Sequence, residues 1–155
     1  MKFEIISVGK LRNKHFRALT DDYLNRLQRY LPVDEIEVRE SSMRQQNVSK
    51  GTEEEADSLM AAASDGAYDV ALDEGGKQIS SRELAKWIDD WMISGVKYVS
   101  FYIGSADGLN RSIRKSSRRT MSMSKMTLPH EMARMVLAEQ LYRAMSIIRG
   151  EPYHR

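Results

Sequence analysis

The sequence predicts an α/β fold in which a mostly parallel sheet carries helices on both faces. Short apolar segments alternate along the chain with amphipathic segments, and strands that are separated by helices in this way pair in parallel. Residues 98–103 are nearly all apolar, as expected of a central strand that is covered on both faces. Because 155 residues can bury one core of ordinary size, we expect a single domain over residues 1–155.

Hydrophobic spacing predicts the first three elements. Residues 1–8 have the pattern of a buried strand, and residues 33–38 have that of a second, shorter strand. Between them, apolar side chains recur every three or four residues, which is the spacing of one helix face. These side chains are Phe16, Leu19, Tyr23, Leu27 and Tyr30. Pro32 ends the helical pattern.

The middle of the chain predicts a loop, a helix and a strand. Residues 39–52 are polar and are expected to form a loop. Thr52 with Glu55 three residues later has the pattern of a capping box, so we expect a helix to begin there. Residues 68–73 predict a third strand, and the glycine-containing segment 74–77 predicts a turn after it.

The last two predicted helices have clear ends. Ser80 and Glu83 form another candidate capping box, and Gly95 is well placed to end that helix. The final helix is predicted over residues 129–149, because proline is favoured in a first helical turn and Gly150 is a stop signal. Its broad apolar face can pack on the sheet, on a partner subunit or on both.

Charge is unevenly distributed along the chain. The net charge is +2, but residues 1–103 contain 14 Lys and Arg against 18 Asp and Glu, whereas residues 104–155 contain 10 against 4. A segment this basic indicates a polyanionic partner. The alternative is that the basic side chains only solvate helix faces.

Composition excludes several kinds of site. The chain has no cysteine, which excludes disulfides, thiolate metal sites and cysteine nucleophiles. Its histidines lack the spacing of a metal-binding set, so no metal is expected. Because no apolar run is long enough to span a bilayer and the N-terminus reads as a strand, we expect a cytoplasmic protein with no membrane partner.

A candidate ligand site lies after the strands. Ligands of open parallel sheets bind beyond the carboxyl ends of the strands. The loops after Leu72, Ile103 and Met123 are therefore the candidate ligand-binding segments. Gly104 and Gly108 permit close approach of the backbone to a ligand. Their spacing is not that of a dinucleotide fingerprint, and the chain has no Gly-Lys-Ser/Thr phosphate loop.

The C-terminal residues form a second candidate site. Arg134 and Arg143 can each meet a phosphate, or can pair with Glu131 and Glu139. The chain ends in Tyr153-His154-Arg155, which offers a ring, an imidazole and a guanidinium that can stack on a base and bind phosphate. An idle polar tail is the alternative.

Several segments, spread over the whole chain, match one known family. They are Ser7–Leu11, Leu72-Asp73 with Gly76-Lys77, Ile103-Gly104 with Gly108-Leu109, Ser122–His130, Glu139–Ala144 and Arg149–Arg155. In these segments the chain resembles the ribosomal RNA large-subunit methyltransferase H family. The members of this family are small SPOUT enzymes that methylate N3 of a pseudouridine in 23S rRNA.

The resemblance implies a C-terminal trefoil knot, with S-adenosylmethionine bound in the knot mainly by backbone groups. The implied cofactor residues are Leu72, Gly104, Met123, Ser124, Lys125, Met126, Thr127 and Leu128. It also implies a homodimer in which the C-terminal tail of one subunit completes the site of the other. The implied substrate is 23S rRNA within the assembled ribosome.

The candidate catalytic residues are Arg143, Tyr153, His154 and Arg155. The N3–H of pseudouridine is a poor nucleophile until its proton leaves, so a proton acceptor is needed. The proton acceptor would be His154, Tyr153, Arg143 or a water that they hold. Arg143 and Arg155 would stabilise the anionic base or a nearby phosphate. A SPOUT enzyme for another RNA, such as tRNA, and a non-catalytic ribosome-binding protein are the alternatives.

One position departs from the family pattern. The family commonly has two adjacent glycines where this chain has Gly104-Ser105. If the loop needed a positive φ at Ser105, serine would cost about 1 kcal/mol or more. The shape of the loop therefore depends on that angle.

Overall fold

The structure contains a five-stranded sheet in which all strands are parallel. It is a computed structural model that describes residues 1–154, apart from the side chain of His154. The strands are β1 (Lys2–Val8), β2 (Val33–Val38), β3 (Tyr68–Gln78), β4 (Tyr98–Ile103) and β5 (Arg119–Ser122), in the order β2-β1-β4-β3-β5. The predicted α/β class and parallel sheet are confirmed, and the trefoil knot stays a prediction.

Helices cover both faces of this sheet, as predicted. They are α1 (Lys14–Leu27), α2 (Val48–Ala62), α3 (Ser81–Ile93), α4 (Arg111–Ser116) and α5 (His130–Ile148). The core on one face includes α1, α3 and α5, and the core on the other includes α2 and α4. Successive strand residues alternate between the two cores, so that Ile5 belongs to the first and Ile6 to the second.

The larger core lies on the α1, α3 and α5 face. Phe3 and Phe101 on neighbouring strands are fully buried, and their rings meet edge to face with centroids 5.7 Å apart. Burying a side chain of this size contributes about 1.5–3 kcal/mol to stability. Leu137 and Leu141 of α5 are also fully buried in this core. Packing on the sheet therefore fixes the position of α5 in the fold.

The second helix begins earlier than the sequence predicts. Asn47 caps α2 through its side chain, so the capping box expected at Thr52 and Glu55 is wrong. Both residues lie inside α2 and are buried. The loop expected over residues 39–52 is also partly wrong, because it contains a 3₁₀ turn (Ser42–Gln45) and the start of α2. Asparagine is itself a strong N-cap residue, and its polar neighbours concealed that signal.

Strand β3 continues through the predicted turn. Its register against β5 shifts between Leu72 and Lys77, after which pairing resumes. Gly76 is required at this shift, because a Cβ there would lie 2.6 Å from the carbonyl carbon of Met121. The turn expected at residues 74–77 is therefore an irregularity within a strand.

The predicted start of α3 and the predicted ends of α3 and α5 are confirmed, whereas α1 ends at Leu27, before the Tyr30 that its apolar spacing included. Ser80 and Glu83 form a reciprocal capping box at the start of α3. After α3, Gly95 has a φ of 73°, and after α5, Gly150 has a φ of 69°, the left-handed conformation that ends many helices. Helix α5 begins one residue after Pro129.

Candidate functional site

A cleft of about 740 Å³ opens at the carboxyl ends of β4 and β5 and beside the register shift in the middle of β3. Ligands of parallel sheets bind at this edge, and the volume is typical of a small-molecule site. Of the eight residues that the resemblance implies for the cofactor, seven line the cleft and Lys125 does not. The seven are Leu72, Gly104, Met123, Ser124, Met126, Thr127 and Leu128. The fold thus brings residues from separate segments into one cavity.

Gly104 is the tightest point of the cleft wall. A Cβ at this position would lie 2.4 Å from the carbonyl carbon of Gly108 and 2.5 Å from its oxygen. Gly108 has a φ of 79°, which glycine adopts without strain. The Gly108 amide donates to the carbonyl of Ser105 at 2.9 Å and closes the turn. Close backbone packing therefore excludes any side chain at Gly104.

Ser105 is unstrained, although the family commonly has glycine there. Among the described residues, only glycines have positive φ, so the cost considered for serine does not arise. The Ser105 side chain is buried, and its hydroxyl donates to Oε2 of Glu55 at 2.9 Å. The serine is accommodated because α2 supplies a partner for it.

The segment after β5 is folded by its own serines. The Ser122 hydroxyl donates to the carbonyl of Ser124 at 2.8 Å, and the Ser124 hydroxyl accepts the Met126 amide at 2.9 Å. The Thr127 hydroxyl donates to Glu74 of β3 at 3.3 Å. The Met126 side chain remains 76% exposed, so it offers apolar surface to a ligand or partner.

Four charged residues that were not among the predicted site residues also line the cleft, namely Asp73, Glu74, Asp107 and Arg114. Arg114 of α4 donates to Oδ1 of Asp73 at 3.1 Å, and the same oxygen accepts the Gly75 amide at 3.0 Å. Asp73 directly follows Leu72, so its position was within reach of sequence reasoning. The position of Arg114 could not be predicted in this way, because α4 has six residues and is too short for hydrophobic spacing to reveal.

Arg134 is fully buried and ties α5 to β2, an edge strand of the sheet. It donates to Glu35 at 2.7 Å and Glu37 at 2.6 Å on β2, and to the carbonyl of Gly9 at 3.1 Å. Arg134 therefore does not pair with Glu131, as sequence spacing allowed. Its guanidinium is also not free to bind a phosphate. Glu131 instead accepts the backbone amide of Arg12 at 2.6 Å.

The pKa of Glu37 is lowered in this network. Burial by itself raises the pKa of this carboxyl group, but the Leu11 amide and the Arg134 guanidinium lower it by more. The carboxylate beside Arg134 therefore keeps its charge to a lower pH than an ordinary glutamate does. This network stabilises the fold close to the point where α5 begins.

Arg143 and Tyr153 form a second cluster near the end of α5. Arg143 donates to Glu139 at 2.5 Å and 2.9 Å, which is the pairing that sequence spacing allowed, and it lies 4.8 Å from the centre of the Tyr153 ring. The Tyr153 hydroxyl lies 3.1 Å from Glu139 and 3.2 Å from the Tyr23 hydroxyl. Burial, followed by these two contacts, raises the pKa of Tyr153 well above its usual value. The phenol therefore stays protonated at neutral pH.

This tail cluster lies apart from the cleft in a single chain. No residue of α5 beyond Ala133 lines the cleft, and the helical stretch from Ala133 to Arg143 is about 15 Å long. Two further predicted catalytic residues, Arg155 and the side chain of His154, lie outside the described residues. One chain therefore does not bring Arg143 and Tyr153 to the cleft.

The described part of the chain contains neither a group of metal ligands nor a membrane-spanning helix. Among residues 1–154, no three His, Cys, Asp or Glu side chains are grouped so that they could hold a metal ion. None of the helices described has the length and apolar composition needed to cross a membrane.

Comparison with known sequences identifies close relatives over the full chain. A family model described as "Predicted SPOUT methyltransferase" matches residues 1–154. A protein of Gemmatimonas aurantiaca is 41% identical over 155 residues, covering 100% of both chains. One of Sorangium cellulosum is 39% identical over 153 residues, covering 99% of both. Both relatives are named "Ribosomal RNA large subunit methyltransferase H".

The fold also recurs in solved structures. A probable methylase family protein from Haemophilus influenzae matches 99% of this chain and 70% of its own, with a TM-score of 0.56 and 10% identity. A probable methyltransferase from Bordetella pertussis matches 93% of this chain and 95% of its own, with a TM-score of 0.54 and 13% identity. Identities this low show the fold alone. The sequence matches go further, and by them the chain belongs to the ribosomal RNA large subunit methyltransferase H family of SPOUT methyltransferases.

Proposed function

We propose that this chain transfers a methyl group from S-adenosylmethionine to N3 of a pseudouridine in 23S rRNA, within the assembled ribosome. The observation that carries the proposal is the cleft at the carboxyl ends of β4 and β5 and the register shift of β3, which the three implied cofactor segments build together. The relatives are named for methylation of large-subunit rRNA. A ribosomal substrate places the enzyme in the cytoplasm.

The cleft fits S-adenosylmethionine in size and chemistry. Its volume of about 740 Å³ suits a ligand of this size. Gly104 and Gly108 both line the cleft, and neither backbone is covered there by a side chain of its own. Leu72 and Met123 supply apolar surface, and residues 124–128 supply backbone polar groups. When bound, S-adenosylmethionine supplies a methyl group that its sulfonium sulfur makes electrophilic.

The acceptor nitrogen must lose its proton as the new nitrogen–carbon bond forms. Tyr153 does not take that proton, because its raised pKa keeps the phenol protonated. Arg143 does not either, because its hydrogen bond to Glu139 raises the pKa of the guanidinium further. Both act as donors that stabilise negative charge on the base. His154 or a bound water then accepts the proton, and Arg155 binds a nearby phosphate.

A second subunit supplies the tail. The cleft and the tail cluster lie apart in one chain, so a homodimer in which each tail reaches the cleft of the other subunit brings them together. Met126 is an exposed apolar side chain at the cleft. It gives such a contact apolar surface to bury.

The surface beside the cleft suits an RNA backbone. Arg111 and Lys115 of α4 are exposed, and neither of them forms an ion pair with a described residue. Arg114, on the same helix, lines the cleft. Contacts of this kind with phosphates release counterions, so ribosome binding should weaken as salt rises. Binding that is insensitive to salt would contradict this part of the proposal.

Nucleoside mass spectrometry tests the substrate. In cells that lack the protein, 23S rRNA should lose one methylated pseudouridine, which the wild-type chain restores. Loss of a methylated nucleoside from tRNA instead would indicate a SPOUT enzyme for tRNA. Calorimetry tests the cofactor, because the absence of binding to S-adenosylmethionine at millimolar concentration would overturn the proposal.

A further inference from the structure

Helix α2 holds the loop that carries Gly104, residues 104–108, which we call the cofactor loop. The Ser105 hydroxyl donates to Oε2 of Glu55 at 2.9 Å. Glu55 is 2% exposed, and its other oxygen accepts the Ser41 amide at 3.0 Å. A buried carboxylate needs all of these partners. The Ser105 side chain is therefore bound to one fixed group of the protein.

Arg44, in the 3₁₀ turn before α2, holds the other side of the cofactor loop. Its Nε donates to Oδ2 of Asp107 at 2.9 Å, and its Nη2 donates to the same oxygen. Arg44 also lies 3.8 Å from Glu55. The two attachments of the loop thus belong to one charged network.

A third contact secures the chain just after the cofactor loop. The Asn110 side-chain amide donates to the Thr52 hydroxyl at 3.2 Å. Thr52 and Glu55 are three residues apart and so share one face of α2. Gly51 allows Arg44 to lie against this helix, because a Cβ there would be 2.4 Å from Cγ of Arg44.

We propose that Arg44, Thr52 and Glu55 are positioning residues that hold the cofactor loop in the shape that binds the methyl donor. None of the three lines the cleft, so they act through the loop. Gly104 and Gly108 give the loop backbone access to other conformations. A loop that adopts the binding shape a tenth of the time binds about tenfold more weakly. This inference rests on the proposed function, since it takes the cleft as the S-adenosylmethionine site.

The test measures binding of S-adenosylhomocysteine, the product of methyl transfer, by calorimetry. In Arg44→Met and in Asp107→Asn, we expect the dissociation constant to rise about tenfold. The KM for S-adenosylmethionine should rise in step, while kcat at saturating cofactor stays near the wild-type value. The double variant should resemble Arg44→Met, because that single variant has already lost the contact between Arg44 and Asp107. Arg44→Lys, which keeps the charge, should recover part of the affinity.

Two controls separate positioning from folding. Lys2→Met removes an ion pair with Asp34 at the amino end of β1, and this variant should bind as the wild type does. The Asp107 side chain is 40% exposed, so Asp107→Asn keeps the fold even if Arg44→Met does not. Wild-type affinity in Asp107→Asn, or a loss of kcat with unchanged KM, would overturn the inference. If the wild-type chain itself fails to bind, the proposed function is wrong and the inference falls with it.

Discussion

Gly104 shows how one residue can determine the shape of a site. Its missing side chain allows the backbone at Gly108 to pack against it, with an ideal Cβ position 2.4 Å from the Gly108 carbonyl carbon. Sequence reasoning found this glycine through its place after a strand. The steric reason for it is visible only when the turn of the cofactor loop is seen.

Replacing Gly104 with alanine should displace the cofactor loop. A displacement of about 1 Å at a catalytic site can cost about 100-fold in rate, and we expect a loss of that order in single-turnover methylation by Gly104→Ala. Gly75→Ala is the matched control, since its Cβ would meet no backbone atom and only one side-chain oxygen, Oδ1 of Asp73, at 3.2 Å. Equal rates in the two variants would contradict the steric assignment.

Glu37 links the stability of the fold to pH. Its pKa is lowered in the folded protein by the Leu11 amide and Arg134, against the opposing effect of burial. A lowered folded pKa contributes stability above the unfolded value of about 4.3, and that stability is lost as the pH falls through the folded value. Glu37→Gln should therefore be less stable near neutral pH and should lose less stability in acid.

Urea denaturation at several pH values measures this effect. The exposed variant Glu53→Gln is the control, and its unfolding free energy should follow that of the wild type. If Glu37→Gln and the wild type lost equal stability between pH values of about 5 and 3, the pairing with Arg134 would not contribute as described.

At the scale of single elements, α2 differs most from its prediction. Asn47 caps it, and the residues expected to open it, Thr52 and Glu55, face Asn110 and Ser105 instead. Spacing of three residues suits a capping box and equally suits two neighbours on one helix face. Local pattern alone cannot distinguish the two uses.

Gly51 provides a prediction at this scale. In an unconstrained helix, replacing glycine with alanine stabilises by about 0.5–1 kcal/mol. In α2 the sign should reverse, because the new Cβ would lie 2.4 Å from Cγ of Arg44 and 2.8 Å from its backbone nitrogen. Thermal unfolding of Gly51→Ala should show a lower midpoint. Ser58→Ala, at an exposed position of the same helix, should show none of this loss.

Helix α5 connects the two clusters of predicted site residues. It begins beside the cleft at His130, is anchored near that end by Arg134, and carries Arg143 near its other end. Rigid helix geometry keeps the two ends apart. The helix can therefore serve two sites only if its far end reaches a different subunit.

At the scale of the whole molecule, the proposed dimer makes a testable prediction. If each tail completes the partner's cleft, Gly104→Ala and Arg143→Ala chains should complement each other when co-expressed. Random pairing gives mixed dimers with one intact site each, so activity should return to about a quarter of the wild-type value. Each variant expressed alone is the control. No recovery in mixed dimers would mean that each tail serves its own chain.

The sequence by itself determined the α/β class, the parallel sheet and most helix ends. These follow from short-range signals, such as the apolar run in β4 and the capping box at Ser80 and Glu83, which act between residues close in the chain. The family segments pointed to Leu72 in β3 and to the loops after β4 and β5. All of this depends on local spacing and needs no knowledge of distant contacts.

Only the tertiary structure decided which distant residues meet. Arg134 could pair with nearby Glu131 or with a phosphate by local spacing, yet burial against β2 gives it Glu35 and Glu37. Glu55 became the partner of Ser105 because α2 packs beside the cofactor loop. Arg143 lies away from the cleft because the helical stretch from Ala133 to Arg143 is about 15 Å long. Contacts of this kind depend on how separate elements pack, and no local pattern in the chain encodes them.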